Sequence, residues 1–165
     1  MAWYHNGKAC VLSPEYLGTG GGTAVPEGPM DVLADTVKIM LMLTTYTVNL
    51  GTHQDVADII VSEISNSSVT GYTARGDATP LASKTVTLDV ANTRAEFDAA
   101  DLVYTAIGNG VNATFDQIVV IRERTTAPVD ADTLLIAHAI VSSTTTNGGN
   151  VTLVFNVEGI LQITA

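Results

Sequence analysis

From Thr36 onward the chain is a succession of short runs rich in Val, Ile, Thr and Tyr, parted by Gly, Asn and Asp at fairly regular intervals. Such runs suit a pleated surface and are too short to make long helices, which restricts the chain to an all-β body of the sandwich or barrel kind. Strands are expected at 36–48, 56–64, 69–74, 84–90, 94–97, 101–107, 116–123, 133–142, 151–157 and 160–164. Within 56–64 the apolar positions Val56, Ala57, Ile60, Val61 and Ile64 also satisfy a helical period, so a short helix competes with a strand there. No fixed repeat is visible, and a single β-sandwich, Greek-key or jelly-roll-like domain over 36–165 is the economical architecture.

Two turns organise the strands. Val86, Leu88 and Val90 alternate with Thr85, Thr87 and Asp89 and are followed by Ala91-Asn92-Thr93 and Arg94-Ala95-Glu96-Phe97, which predicts a hairpin with one wet face. Asn147-Gly148, in a Thr- and Asn-rich stretch, predicts a second hairpin between Leu134–Val141 and Val151–Val157, because Asn-Gly readily takes positive φ. Asn109-Gly110 marks a further turn.

Residues 1–35 differ from the remainder. Gly18, Gly20, Gly21 and Gly22 leave the backbone too free for regular structure, and Pro14, Pro26 and Pro29 fall in the same segment, so it reads as an extended N-terminal arm. Trp3, Tyr4, Val11, Leu12, Tyr16 and Leu17 are spaced along it as apolar anchors and are the candidate partner-binding residues. Ordering such an arm costs on the order of 1 kcal/mol per residue, which a partner surface has to offset.

Composition narrows the function classes. Seventeen acidic against seven basic residues give a net charge of −10, which repels phosphate backbones and argues against nucleic acid. Charged residues are 15% of the chain, against about 25% in an average soluble domain, while hydrophobic residues are 46%. That imbalance leaves more apolar surface than one small body hides, and predicts self-association, with a homotrimer favoured. The apolar run Val37–Leu43 is interrupted by Lys38 and is far too short for a membrane span, and MAWYHNGKAC has no apolar core of a signal peptide. Cys10 is the one cysteine, so no internal disulfide forms, in keeping with assembly in a reducing cytoplasm.

No catalytic constellation emerges. His5, His53 and His138 lie in three elements without ligand spacing, and no metal site is expected. His138 alternates with Ile136 and Ile140, which suits a hydrogen-bonded core or interface imidazole. The pairs Asp98/Asp101 and Asp130/Asp132 lack the oxygens of a calcium loop and read as turn residues. Neither a nucleophile elbow nor a phosphate loop is present: no Lys-Ser/Thr follows the arm glycines. Arg122 and Arg124 share a strand face and suit either inter-subunit salt bridges or a solvated strand end.

Four segments carry a resemblance: Gly71-Tyr72-Thr73-Ala74-Arg75-Gly76, Leu81-Ala82-Ser83-Lys84-Thr85-Val86-Thr87, Phe97-Asp98-Ala99-Ala100-Asp101-Leu102-Val103-Tyr104 and Asn156-Val157-Glu158-Gly159-Ile160-Leu161. In this order they resemble the small β-rich virion structural proteins of tailed bacteriophages over residues 36–165, with the arm unmatched. The resemblance implies assembly without catalysis and transfers no active-site residue. It implies a capsid decoration, or cement, protein assembled in the bacterial host's cytoplasm, attached to the major capsid protein on the outer surface of the virion. A tail-associated or receptor-binding fibre module is the alternative, and exposed Trp or Tyr side chains would favour it. A small hydrolase on a jelly roll is the third reading, and lacks an acid/base constellation.

With no ligand set complete, the body should fold without metal or cofactor: adding EDTA to the purified protein should leave its melting temperature unchanged, and a drop of many degrees would refute this.

Overall fold

The computed structural model describes residues 2–4, 31–77, 79–123, 133–156 and 159–164. The described residues are all-β in character: β1 (Ala2–Trp3), β2 (Thr36–Leu43), β3 (Thr85–Asp89), β4 (Arg94–Asp98), β5 (Leu102–Tyr104), β6 (Thr114–Glu123), β7 (Leu134–Thr145), β8 (Val151–Leu153) and β9 (Leu161–Thr164). All pairings are antiparallel, in three sheets of order β1-β7-β6-β2, β3-β4-β9 and β5-β8.

The four-stranded sheet is covered on both faces. Val37 to Met42 in β2 and Ile118 to Arg122 in β6 are buried without interruption, which is why these strands read as continuous apolar runs. On one face Val37, Ile39, Leu41, Ile118 and Val120 join Phe97, Leu102, Tyr104, Phe115 and Leu161 in a cluster to which all three sheets contribute. On the other, Met40, Met42, Val119, Ile121 and Leu135 pack with Tyr4, Tyr46, Val56 and Ile59. The register pairs Met40 with Val119 and Ile39 with Val120. In β7 a shift places Ala137 opposite Val120 and Leu135 opposite Ile121, so adjacent Ile136 and Ala137 both reach the first cluster.

β2 is the outer strand of this sheet, and buried edge groups need partners. The Leu81 N–H donates to Val37 O at 2.8 Å and the Tyr104 hydroxyl to Ile39 O at 2.6 Å. The Leu41 N–H donates to the Tyr72 hydroxyl at 3.1 Å. Two tyrosine hydroxyls thus stand where a further strand would lie. Ion pairs hold the end of the β2–β6 pair: Lys38 with Glu123, and Arg122 with Asp35, whose Oδ2 lies 2.8 Å from Arg122 Nε. Arg122 is therefore buried and paired with Asp35 within the chain and does not end a solvated strand, and Arg124 lies outside the described residues.

Several sequence expectations change. Residues 56–64 form no strand: 3-10 turns run over Val56–Asp58, Ile60–Ser62 and Ile64–Ser67, the first started by a capping box of Asp55 and Asp58. Of the residues in the helical period only Val56 and Ile64 are buried, while Ala57 and Val61 are exposed and Ile59, outside that period, turns inward. Residues 69–74 are likewise not a strand, and α1 (Ala74–Asp77) begins at their last residue. At Gly71, φ is +78° and a Cβ would lie 2.9 Å from Ala106 O, so only glycine fits this approach. The Asn147-Gly148 turn exists but joins no hairpin, since β8 pairs with β5. Gly148 N donates to Ile107 O at 2.8 Å, and the buried Thr146 brackets Ala113, with Thr146 N on Ala113 O and Ala113 N on Thr146 Oγ1, both at 2.9 Å. These bonds steer the chain from one sheet to another.

Tyr104→Phe removes the hydroxyl that satisfies Ile39 O and should lower the unfolding free energy by about 1–3 kcal/mol, read from urea denaturation with an unchanged m-value.

Candidate functional site

Among the described residues, two buried polar clusters and one exposed apolar hairpin have chemical or binding capacity. The first cluster surrounds Glu63, which is fully buried where the 3-10 turns meet β2. Its Oε1 accepts from the Tyr72 hydroxyl at 2.8 Å, and its Oε2 accepts from Ser65 Oγ at 2.7 Å and Arg75 N at 3.0 Å. Burial, with the Glu63 carboxylate alongside, holds the Tyr72 phenol well above its ordinary value, so it remains a donor. A shallow groove lined by Ile60, Val61, Ser65, Asn66, Tyr72 and Ala74 opens above this cluster. With both carboxylate oxygens already accepting internal bonds, Glu63 is a fastener between elements; as a base it would have to reach into the groove.

The second cluster lies on the opposite face of the four-stranded sheet. Tyr4 Oη and Tyr46 Oη are 2.6 Å apart, and Tyr46 Oη is 3.1 Å from His53 Nδ1. Asn49 N donates to the same Nδ1, at 3.3 Å, so that nitrogen is an acceptor and the relay runs from Tyr4 through Tyr46 to His53. Burial raises both phenols, and Tyr4 the more. His138 lies edge-on to Tyr46 with centroids 6.1 Å apart, and its Nε2 is 2.8 Å from Gln117 Oε1. The reading of His138 as a hydrogen-bonded core imidazole matches this position, although Ile140, on the same alternation, is exposed.

Tyr4 was expected to face a partner; instead its ring is fully buried in this cluster. β1 pairs Ala2 with His138 and Trp3 with Ala137, and Tyr4 N donates to Ile136 O at 3.0 Å. Residues 2–4, placed in the arm from composition, are thus built into the sheet. The backbone of Trp3 is placed by this pairing; Val11, Leu12, Tyr16 and Leu17 lie outside the described residues. Tyr46, Tyr72 and Tyr104 are buried as well, which removes them as the exposed aromatic platform that a receptor-binding tip would use.

Of the carboxylate pairs, Asp101 Oδ1 accepts from Phe155 N at 2.9 Å and ties two loops, as a structural aspartate does. Asp130 and Asp132 lie outside the described residues. Among the described residues no group of three or more His, Cys, Asp or Glu is gathered as metal ligands would be. No helix among them is long and apolar enough to cross a membrane.

The exposed feature is the β3–β4 hairpin. Its register and its turn, with Asn92 N donating to Asp89 Oδ1 at 3.1 Å, match the expectation from sequence. Its burial does not. Val86, Leu88 and Val90 are 51%, 70% and 77% exposed, although Val86 stands directly opposite Phe97, which is buried in the first cluster. Nothing in their alternation distinguished this stripe from one facing a core, since the two look identical in sequence. No family model, curated protein or solved structure matches the chain.

Burial holds the His138 imidazole below its ordinary value of 6.5, with Asp116 opposing. The folded state therefore binds this proton less tightly than the unfolded one. His138's contribution to stability is complete above the unfolded value and is lost as pH falls from there through the folded value. Urea midpoints taken from about pH 7.5 down to about pH 5.5 should fall, and His138→Gln should flatten that slope.

Proposed function

We propose that this chain is a non-catalytic virion structural protein of a tailed bacteriophage, acting as a capsid decoration (cement) protein that binds the major capsid protein on the outer head surface and stabilises the head. The observation that carries the reading is the projecting hairpin, whose valines and leucine face solvent while the tyrosines of the described body are turned inward. A body of this kind meets other surfaces through apolar strand contacts. Its polar clusters are consumed in holding the frame.

The four segments that resemble phage structural proteins support the reading through their roles in the frame. Tyr72 and Tyr104 close the edge of β2, Lys84 Nζ bonds Asp35 O, and Phe97, Ala99 and Leu102 line the first cluster. Gly159, at φ +83°, lies where a Cβ would come within 2.8 Å of Phe97 O. The same proposal includes a β-sandwich, Greek-key or jelly-roll-like stacking, supported by the cluster that residues of all three sheets share. Several copies acting together would multiply individually weak contacts with a shell.

Electron microscopy of purified virions carrying an antibody-labelled copy of the chain should place it on the outer capsid surface. Label confined to the tail, or absent from the particle, would overturn the reading.

A further inference from the structure

β3 is the outer strand of the sheet β3-β4-β9, and among the described residues no backbone hydrogen bond reaches its outward side. Natural edge strands are blunted by proline, bulges, inward charges or lysine. β3, Thr85-Val86-Thr87-Leu88-Asp89, has none of these in its interior, and Thr85 to Leu88 are exposed. Its one charge, Asp89, already faces Arg94 of the same hairpin at 3.2 Å, and the preceding Lys84 is engaged with Asp35 O.

We infer that a second copy of this chain pairs with β3, edge to edge and antiparallel, about a two-fold axis at Thr87. The sequence of the strand is self-complementary in that register. Val86 falls opposite Leu88 of the other copy and Leu88 opposite its Val86. Thr87 meets Thr87, and each Asp89 meets a Thr85. Residues opposite one another share a face, so the four apolar side chains form one patch and the threonines form another, with no like charges opposed. Alternate backbone groups of β3 point outward and meet their own counterparts, because a two-fold contact is isologous. Two three-stranded sheets then become one continuous sheet. Shifting the register by one residue would set Val86 and Leu88 against Thr and Asp, while the axis at Thr87 keeps Asp89 of each copy opposite a Thr. The contact closes as a dimer, in place of the trimer that composition suggested, and it does not depend on the chain binding a shell.

The test is sedimentation equilibrium of the purified full chain. The wild type should show a dimer at up to about 100 μM, the range of weak but specific contacts. Thr87→Lys, at an exposed position, should leave the thermal transition in place while opposing two ammonium groups across the axis, and should weaken the dimer about tenfold or more. Thr87→Glu alone should behave likewise, and mixing the two variants should restore a dimer containing one of each. A wild type that is monomeric or trimeric, a Thr87→Lys variant that keeps the wild-type dimer, or a mixture that fails to re-form it while both variants stay folded, would overturn the inference. Head localisation as described above is read separately and can fail or succeed on its own.

Discussion

A sheet buried on both faces must also be closed at its edges, and the bonds along the outer side of β2 meet that requirement. Were Ile39 O, Leu41 N and Val37 O left unpaired in the interior, each would cost about 1–3 kcal/mol, a large part of a domain's stability. Tyr104 and Tyr72 answer with side-chain hydroxyls, and this explains much else. Tyr72 has to be held at the edge, so Glu63 is buried to accept its hydrogen bond, and Ser65 and Arg75 N are arranged to satisfy the carboxylate. The 3-10 turns that bring in Glu63 and Ser65 also deliver Val56 and Ile59 to the second cluster. One edge thus determines the path of the chain from Val56 to Arg75.

The contrast with β3 is instructive. Both strands are outer strands, yet among the described residues side chains and neighbouring backbone bond only the edge of β2. A molecule that needed every edge closed could have placed a tyrosine or a proline over β3 as well. It leaves there a short strand with threonine on one face and Val86 and Leu88 on the other.

What was legible from sequence follows from how local the determinants are. β2, β6 and β7 were readable because a run such as Val37 to Leu43 has no reason to exist outside a sheet covered on both sides. The β3–β4 hairpin was readable because its turn residues, Asp89 to Thr93, act within the hairpin itself. The 3-10 turns were misread because Asp55 and Asp58 start a turn at the head of an apolar stretch in a way that only their capping bonds reveal. The Asn147-Gly148 turn has the chemistry of a hairpin, while its destination is set by Ile107 and Ala113, far away in sequence. Arg122 and Tyr4 were taken for surface groups because burial of a polar side chain depends on Asp35 and Tyr46, which no nearby residue announces. The candidate surface was missed for a similar reason: alternation tells which residues of β3 share a face and is silent on what that face meets.

The pairing of β1 with β7 has a consequence for synthesis. Ala2 is made long before its partner His138. β2 must likewise wait for β6, and β4 reaches its third strand only with β9. Among the described strands, only the β3–β4 and β6–β7 pairs form between strands that follow one another in sequence. While the chain is on the ribosome, Val37 to Met42 therefore have no sheet to enter, and folding is expected to be slow and largely post-translational, as for other topologies dominated by distant contacts. The charge of −10 opposes association of copies while those strands are exposed.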